Sequence, residues 1–191
     1  MSQKGGATMI KRVSTLVMML VVLITSQCYA AQPRIADVGA EMFRQKFMEN
    51  NKTFVSEFLP KDSAQKFIIP GVFPNSTSYV FLTSEERNGV IIYSNQEGYV
   101  ECVVVMGLAT STQRNIQLMA TAMKAAMSLS LDNDEISWLF SEGTTFDRMY
   151  MGVVHCKSSN RDIYLTKTIL PNGTKAFCFD HIPASVRFSH I

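Results

Sequence analysis

The chain has 191 residues, with 18 basic and 16 acidic side chains, a formal charge of +2, four cysteines and one tryptophan. No block of Lys or Arg stands ready to neutralise phosphates, which excludes the electrostatic footprint of a nucleic-acid binder. Four cysteines are too few for a disulfide scaffold, and no repeat or low-complexity tract divides the chain, so one domain with a packed core is expected.

Lys11 and Arg12 precede the apolar run LVMMLVVLI at 16–24, and Cys28-Tyr29-Ala30 follows. A basic start, a short apolar stretch and a small residue at the cut form the pattern of a secretory signal peptide, here residues 1–30. The run is too short for a spanning helix, which takes about 20 residues. The expectation is therefore export, to the periplasm or the medium, with no transmembrane segment after signal removal. Lipid attachment at Cys28 fits poorly, because bulky Gln27 stands directly before it. Lys4-Gly5-Gly6 can be encoded by a purine-rich ribosome-binding sequence ahead of Met9, which makes Met9 the expected true start and the source bacterial. Setting aside Lys4, Lys11 and Arg12 leaves 15 basic against 16 acidic residues, a net charge of −1 on 31–191.

Residues 31–191 read as a single α+β domain. A helix is expected over 36–49, with Val38, Met42, Phe43 and Phe47 at helical spacing. Thr53 can cap a second helix over 54–59, closed by Pro60. A loop punctuated by Pro70, Gly71 and Pro74 follows. Strands are expected at 79–82, 90–93 and 99–106, the last two joined by a hairpin at 95–98 in which Gly98 takes φ > 0. Ser111 or Thr112 caps a long helix over 113–130 with an apolar stripe of Ile116, Met119, Ala120, Met123 and Met127. Asp132, Asp134 and Glu135 sit at the start of another helix, where the helix dipole favours acids. That helix carries Ile136, Leu139 and Phe140 inward and ends at Gly143. Three strands, 149–156, 163–169 and 175–179, close the domain through turns at 158–160 and 171–173, with an irregular strap from Pro183. The expected architecture is an antiparallel sheet of about six strands with helices packed on one face, in the order αα-βββ-αα-βββ.

Three cysteines follow the signal segment: Cys102, Cys156 and Cys178. An oxidising exterior allows one pair among them. With Ser159-Asn160 and Asn172-Gly173 as two-residue loops, Cys156 faces Ile163 and Cys178 faces Lys167. The two thiols then lie two strands apart, about 10 Å sideways and about 13 Å along the strands. A disulfide needs Cα atoms within about 7 Å. A regular meander thus keeps Cys156 and Cys178 unbonded, while Cys102 can partner either. The sequons at Asn51, Asn75 and Asn172 read as chance matches in a bacterial chain.

Cys178, Asp180 and His181 bring a thiol, a carboxylate and an imidazole into one short segment, the residue types of a nucleophilic or metal site. His155 and Cys156 are adjacent on a strand and so point to opposite faces. Met119, Met123 and Met127 place three thioethers on one helix side, a ligand type that suits Cu(I), although methionine more often fills core gaps. Trp138 and Phe140 are core or partner-anchoring aromatics. No phosphate loop, dinucleotide fingerprint, nucleophile elbow or H-E-x-x-H motif occurs. These readings lead to a small exported, non-enzymatic binding protein, with no cofactor. Its expected partner is another envelope or secreted protein, or a small apolar ligand. The alternative is an exported enzyme built on Cys178, Asp180 and His181, and a lesser one is a copper binder through Met119, Met123 and Met127.

Overall fold

The computed structural model describes residues 34–50, 56–58, 77–83, 88–108, 110–141, 150–170 and 173–187. All of them belong to the unit Pro33–Ile191, which separates from Met1–Gln32. The expected signal segment with Met9 and Cys28, the loop with Pro60, Pro70 and Pro74, the sequon asparagines Asn51, Asn75 and Asn172, and Gly143 lie outside the described residues.

The fold is α+β with one antiparallel sheet. Its elements run α1 (Ala40–Asn50), β1 (Ser56–Phe58), β2 (Thr77–Thr83), β3 (Asn88–Ser94), β4 (Val100–Gly107), α2 (Thr112–Ser128), α3 (Asn133–Leu139), β5 (Tyr150–Cys156), β6 (Arg161–Ile169), β7 (Lys175–Asp180) and α4 (Ala184–Arg187). The seven strands lie in the order β1-β2-β3-β4-β7-β6-β5. Two consecutive hairpin sets therefore meet at one seam, β4 against β7, where Cys102 faces Asp180 and Val104 faces Cys178.

One face of the sheet is covered by α1, α2 and α3. Phe43 and Phe47 of α1, Leu118, Ala122, Ala125 and Ala126 of α2, and Ile136 and Leu139 of α3 share a core with Val90, Ile92, Val103, Val105, Leu165, Phe177 and Phe179. Alternation along each strand sends the other residues to the opposite face. There a second cluster forms from Val80, Ile91, Tyr93, Cys102 and Cys178, with Val104 and Met106 against it.

Local chemistry explains most element ends. Ser111 accepts from the Arg114 amide and starts α2. Asp132 and Glu135 form a reciprocal capping box at α3, each side chain bonding the other's backbone amide. Asn95 Oδ1 accepts from the amides of Glu97 and Tyr99, and Gly98 closes that hairpin at φ +83.

Several expectations are corrected. Residues 56–58, expected within a helix, form β1 and pair with Phe81–Thr83; pairing to a ready strand edge outweighs a weak local helix signal. The strands therefore number seven among the described residues, not six. The tail past Pro183 is not wholly irregular, because Ala184–Arg187 forms a helical turn. Met42 is exposed on α1. On α2 the buried face is Leu118, Thr121, Ala122, Ala125 and Ala126. Ile116 and Met127 of the expected stripe are 51% and 44% exposed, and Met119 and Met123 lie half-buried at its margin. Alanines let the helix sit close to its neighbours, so the small residues set the contact face and the long thioethers splay along its edge.

The last two turns also differ from expectation. Cys156 faces Arg161, so four residues, 157–160, make the first loop, with Asn160 at φ +52. Lys157 and Ser158 leave the ladder because α3 and the turn before it hold them. The Lys157 amide donates to Glu135 Oε1 at 2.8 Å, and Ser158 Oγ donates to the Ser130 carbonyl at 3.1 Å. At the second loop the Leu170 amide bonds the Thr174 carbonyl at 2.8 Å, with Gly173 at φ +79. That is a three-residue hairpin whose glycine takes the left-handed position, not a two-residue one. Cys178 accordingly faces Thr166, and Cys156 still lies two strands away from it.

Candidate functional site

The seam between β4 and β7 gathers the polar chemistry of the buried sheet face. Tyr93 faces Cys102, whereas Ser94 faces Val100, so Glu101 is an extra residue in β4. Such a bulge breaks strict alternation and re-aims a side chain. Glu101 is thereby brought to the side that carries Cys102 and Asp180. Its Oε1 accepts from Arg187 Nη1 at 3.0 Å. Arg187 reaches there from α4 and grips Asp180 with two bonds, Nε to Oδ2 and Nη2 to Oδ1, both 2.8 Å. This two-pronged geometry suits a guanidinium and not an ammonium. His181 Nδ1 lies 3.0 Å from Asp180 Oδ1. The amide of Ile182 also donates to Oδ1, at 3.2 Å.

Burial pushes the Asp180 carboxyl up, but the bonds from His181 and Arg187 and their charge outweigh it and hold it below the usual carboxylate range. Burial alone would lower the Arg187 pKa. The bonds to Asp180, with the charges of Asp180 and Glu101, raise it well above the ordinary arginine value. Both ion pairs are almost wholly out of solvent.

Beside this cluster, Cys102 Sγ and Cys178 Sγ lie 3.5 Å apart and both thiols are free. Burial, then the neighbouring Cys178 thiol, push the Cys102 thiol well up. Burial chiefly, with both thiols nearby, raises the Tyr93 phenol as well. Ligand atoms of Cys102, Cys178 and Asp180 fall within 4.8 Å of one another. In composition this is a soft-metal set, two sulfurs and a carboxylate. Arg187, however, already occupies both carboxylate oxygens, and a second cation would have to share them.

Of the residues the sequence pointed to, the structure brings together Cys178, Asp180 and His181, and adds Cys102 to them. It leaves His155 apart, on the exposed end of β5, where its ring bonds Asp162 at 2.8 Å and Asn160 at 3.1 Å. The Asp162 bond first, then the Asn160 bond, raise the His155 pKa. Cys156 is buried, with its Sγ 3.1 Å from Ser158 Oγ. Met119, Met123 and Met127 do not converge on the seam. Arg187 and Glu101 were missed. The signal for Glu101 was present, since a carboxylate inside the strand YVECVVVM demands a buried cation.

A second feature lies at the β5 edge of the sheet. Met151 and Val153, 58% and 46% exposed, point to the sheet face away from the helices, and Trp138 of α3, 65% exposed, lies at the same edge. Trp138 Nε1 donates to the Val153 carbonyl at 3.1 Å, which fixes the indole against the edge strand. Edge strands present unpaired backbone groups, and this one carries two exposed apolar side chains on one face and an aromatic bonded to its edge.

The molecule is thus an α+β protein with an ion-and-thiol cluster at the centre of its sheet and an apolar sheet edge. No family model matches the chain, and neither does any curated protein or solved structure. No helix among the described residues is long and apolar enough to cross a membrane.

Proposed function

We propose that this is a small exported, non-enzymatic protein of the bacterial envelope or secreted fraction that acts by binding another protein along β5. The exposed Met151 and Val153, with exposed Trp138 held at the same edge, carry this reading. Large aromatics next to aliphatic side chains are the usual anchors of a protein interface. Strand addition at this edge, past the Val153 carbonyl that Trp138 already takes, would supply backbone hydrogen bonds, and pockets for alternate side chains would give selectivity. The near-neutral balance of 31–191 suits an apolar contact rather than charge-driven capture.

The enzyme alternative has less support. A nucleophilic thiol needs an accessible, electropositive setting. Cys102 and Cys178 are buried and the carboxylate beside them is committed to Arg187. The copper alternative is supported by ligand type alone, since Met119, Met123 and Met127 grade from half-buried to exposed along the helix.

A photoreactive residue at position 153 in the full chain, expressed in a bacterial host of the same envelope type, tests the proposal. One discrete cross-linked protein is expected from position 153, and none from position 116, which is equally exposed on α2. Equal or absent cross-linking at both positions would refute the reading.

A further inference from the structure

We propose that Cys102 and Cys178 are a redox modification site: a dithiol that closes to a disulfide across the β4–β7 seam. The two sulfurs are 3.5 Å apart on neighbouring strands, and among the described residues no other cysteine is placed to compete. Cys156 is two strands away, on β5, with its sulfur against Ser158. Cys102 and Cys178 stand diagonally across the seam on one sheet face, within the reach of cross-strand neighbours. A small shear of the strands, or a side-chain rotation, brings the sulfurs into bonding distance.

Charge decides between a disulfide and a metal ion here. Glu101 and Asp180 contribute two negative charges and Arg187 one positive charge. A disulfide is neutral and leaves that arrangement as it stands. A metal ion would require two thiolates in a buried place and would set a cation beside the Arg187 guanidinium, which already takes both oxygens of Asp180. The disulfide also has a structural use. Seventy-six positions separate the two cysteines, and among the described residues their strands make the one pairing between the two hairpin sets within the sheet. A cross-link over so long a loop restrains the unfolded chain strongly.

The reaction is thiol–disulfide exchange, and the oxidant is an external disulfide R–S–S–R, from a small molecule or from a thiol oxidase. One cysteine thiolate attacks it, forms a mixed disulfide and releases one R–S⁻. The second thiolate then attacks the protein sulfur of that mixed disulfide, forms the Cys102–Cys178 bond and releases the second R–S⁻. Two electrons pass to the oxidant, and the two thiol protons end on the two released thiols. Because both thiols are buried in the folded protein, closure belongs to folding, before the seam seals. The proposal is independent of what docks on β5.

The test refolds the full chain from denaturant in a mixture of oxidised and reduced glutathione, with trapping in acid, alkylation and peptide mapping without reduction. The expected result is a linked Cys102–Cys178 peptide and a singly alkylated Cys156. The thermal midpoint should then fall by about 5–15 °C when dithiothreitol opens the bond. Cys156→Ser, which removes neither sulfur, should close the same bond to the same extent. A linked peptide containing Cys156, a glutathione left on Cys102 or Cys178, or both of these cysteines alkylated after refolding would overturn the proposal. So would one equivalent of zinc, added alone to the reduced chain, that is retained through dialysis and lost in Cys102→Ser.

Discussion

Arg187 is bonded to two buried acids, and removing it would strand both. Arg187→Met should cost about 3–5 kcal/mol of stability, the usual penalty for leaving a buried charge without its partner. Urea unfolding at neutral pH measures it. The same variant should regain part of that loss as pH falls, because Asp180 can then become neutral. In the unmodified protein the sign is opposite. The folded Asp180 pKa is depressed, so the folded state holds fewer protons than the unfolded chain between the two values. Its stabilising contribution is complete above the unfolded carboxylate pKa of about 3.9 and is lost as pH falls through the lower folded value. Unfolding midpoints from pH 5 down to pH 2 should therefore fall, and Asp180→Asn should flatten that slope. At this scale the sequence was partly legible. Asp180, His181 and Cys178 stood out by residue type, whereas Glu101 was missed although it is a charge within an apolar strand. Arg187 could not be foreseen, because only the turn of helix after Pro183 returns it to the sheet.

The helix starts were the most legible elements, since caps are local. Asp132 and Glu135 satisfy the first amides of α3, and Glu135 also holds the Lys157 amide. Asp132→Ala should cost about 1 kcal/mol, through loss of the cap and of the exposed Lys157 ion pair, which adds little. Thermal unfolding reads that loss. The rotational phase of α2 was not legible. Its alanines carry little hydrophobic weight in a pattern but make the closest contact, whereas the methionines dominate the pattern and lie at the margin. Ala122→Asp should destabilise strongly by forcing an unpaired charge into the core, while Ile116→Asp should change stability by less than about 0.5 kcal/mol. Equal effects at the two positions would show that the helix is turned as its methionine stripe suggests. The turns were legible in place but not in length. Lys157 and Ser158 are drawn out of the ladder by α3 and the turn before it, a contact between elements that no local rule encodes.

Over the whole molecule, hairpin signals gave the two strand sets and the antiparallel α+β class, while the seam joining them was open. It depends on contacts between residues 76 positions apart, which Cys102 and Cys178 mark in space. The seam buries the ion cluster at the middle of the sheet and leaves β5 at one edge, with Met151, Val153 and Trp138 outside. The central claim is that this edge binds a partner and does not serve folding. It is tested most directly by carrying Met151→Lys and Val153→Lys together, with a photoreactive residue at position 138 to report contact. The account predicts an unfolding midpoint within a few degrees of the parent and loss of the cross-linked partner seen without the two lysines. A partner still captured at full yield, or a fold that collapses when the two lysines are introduced, would contradict it.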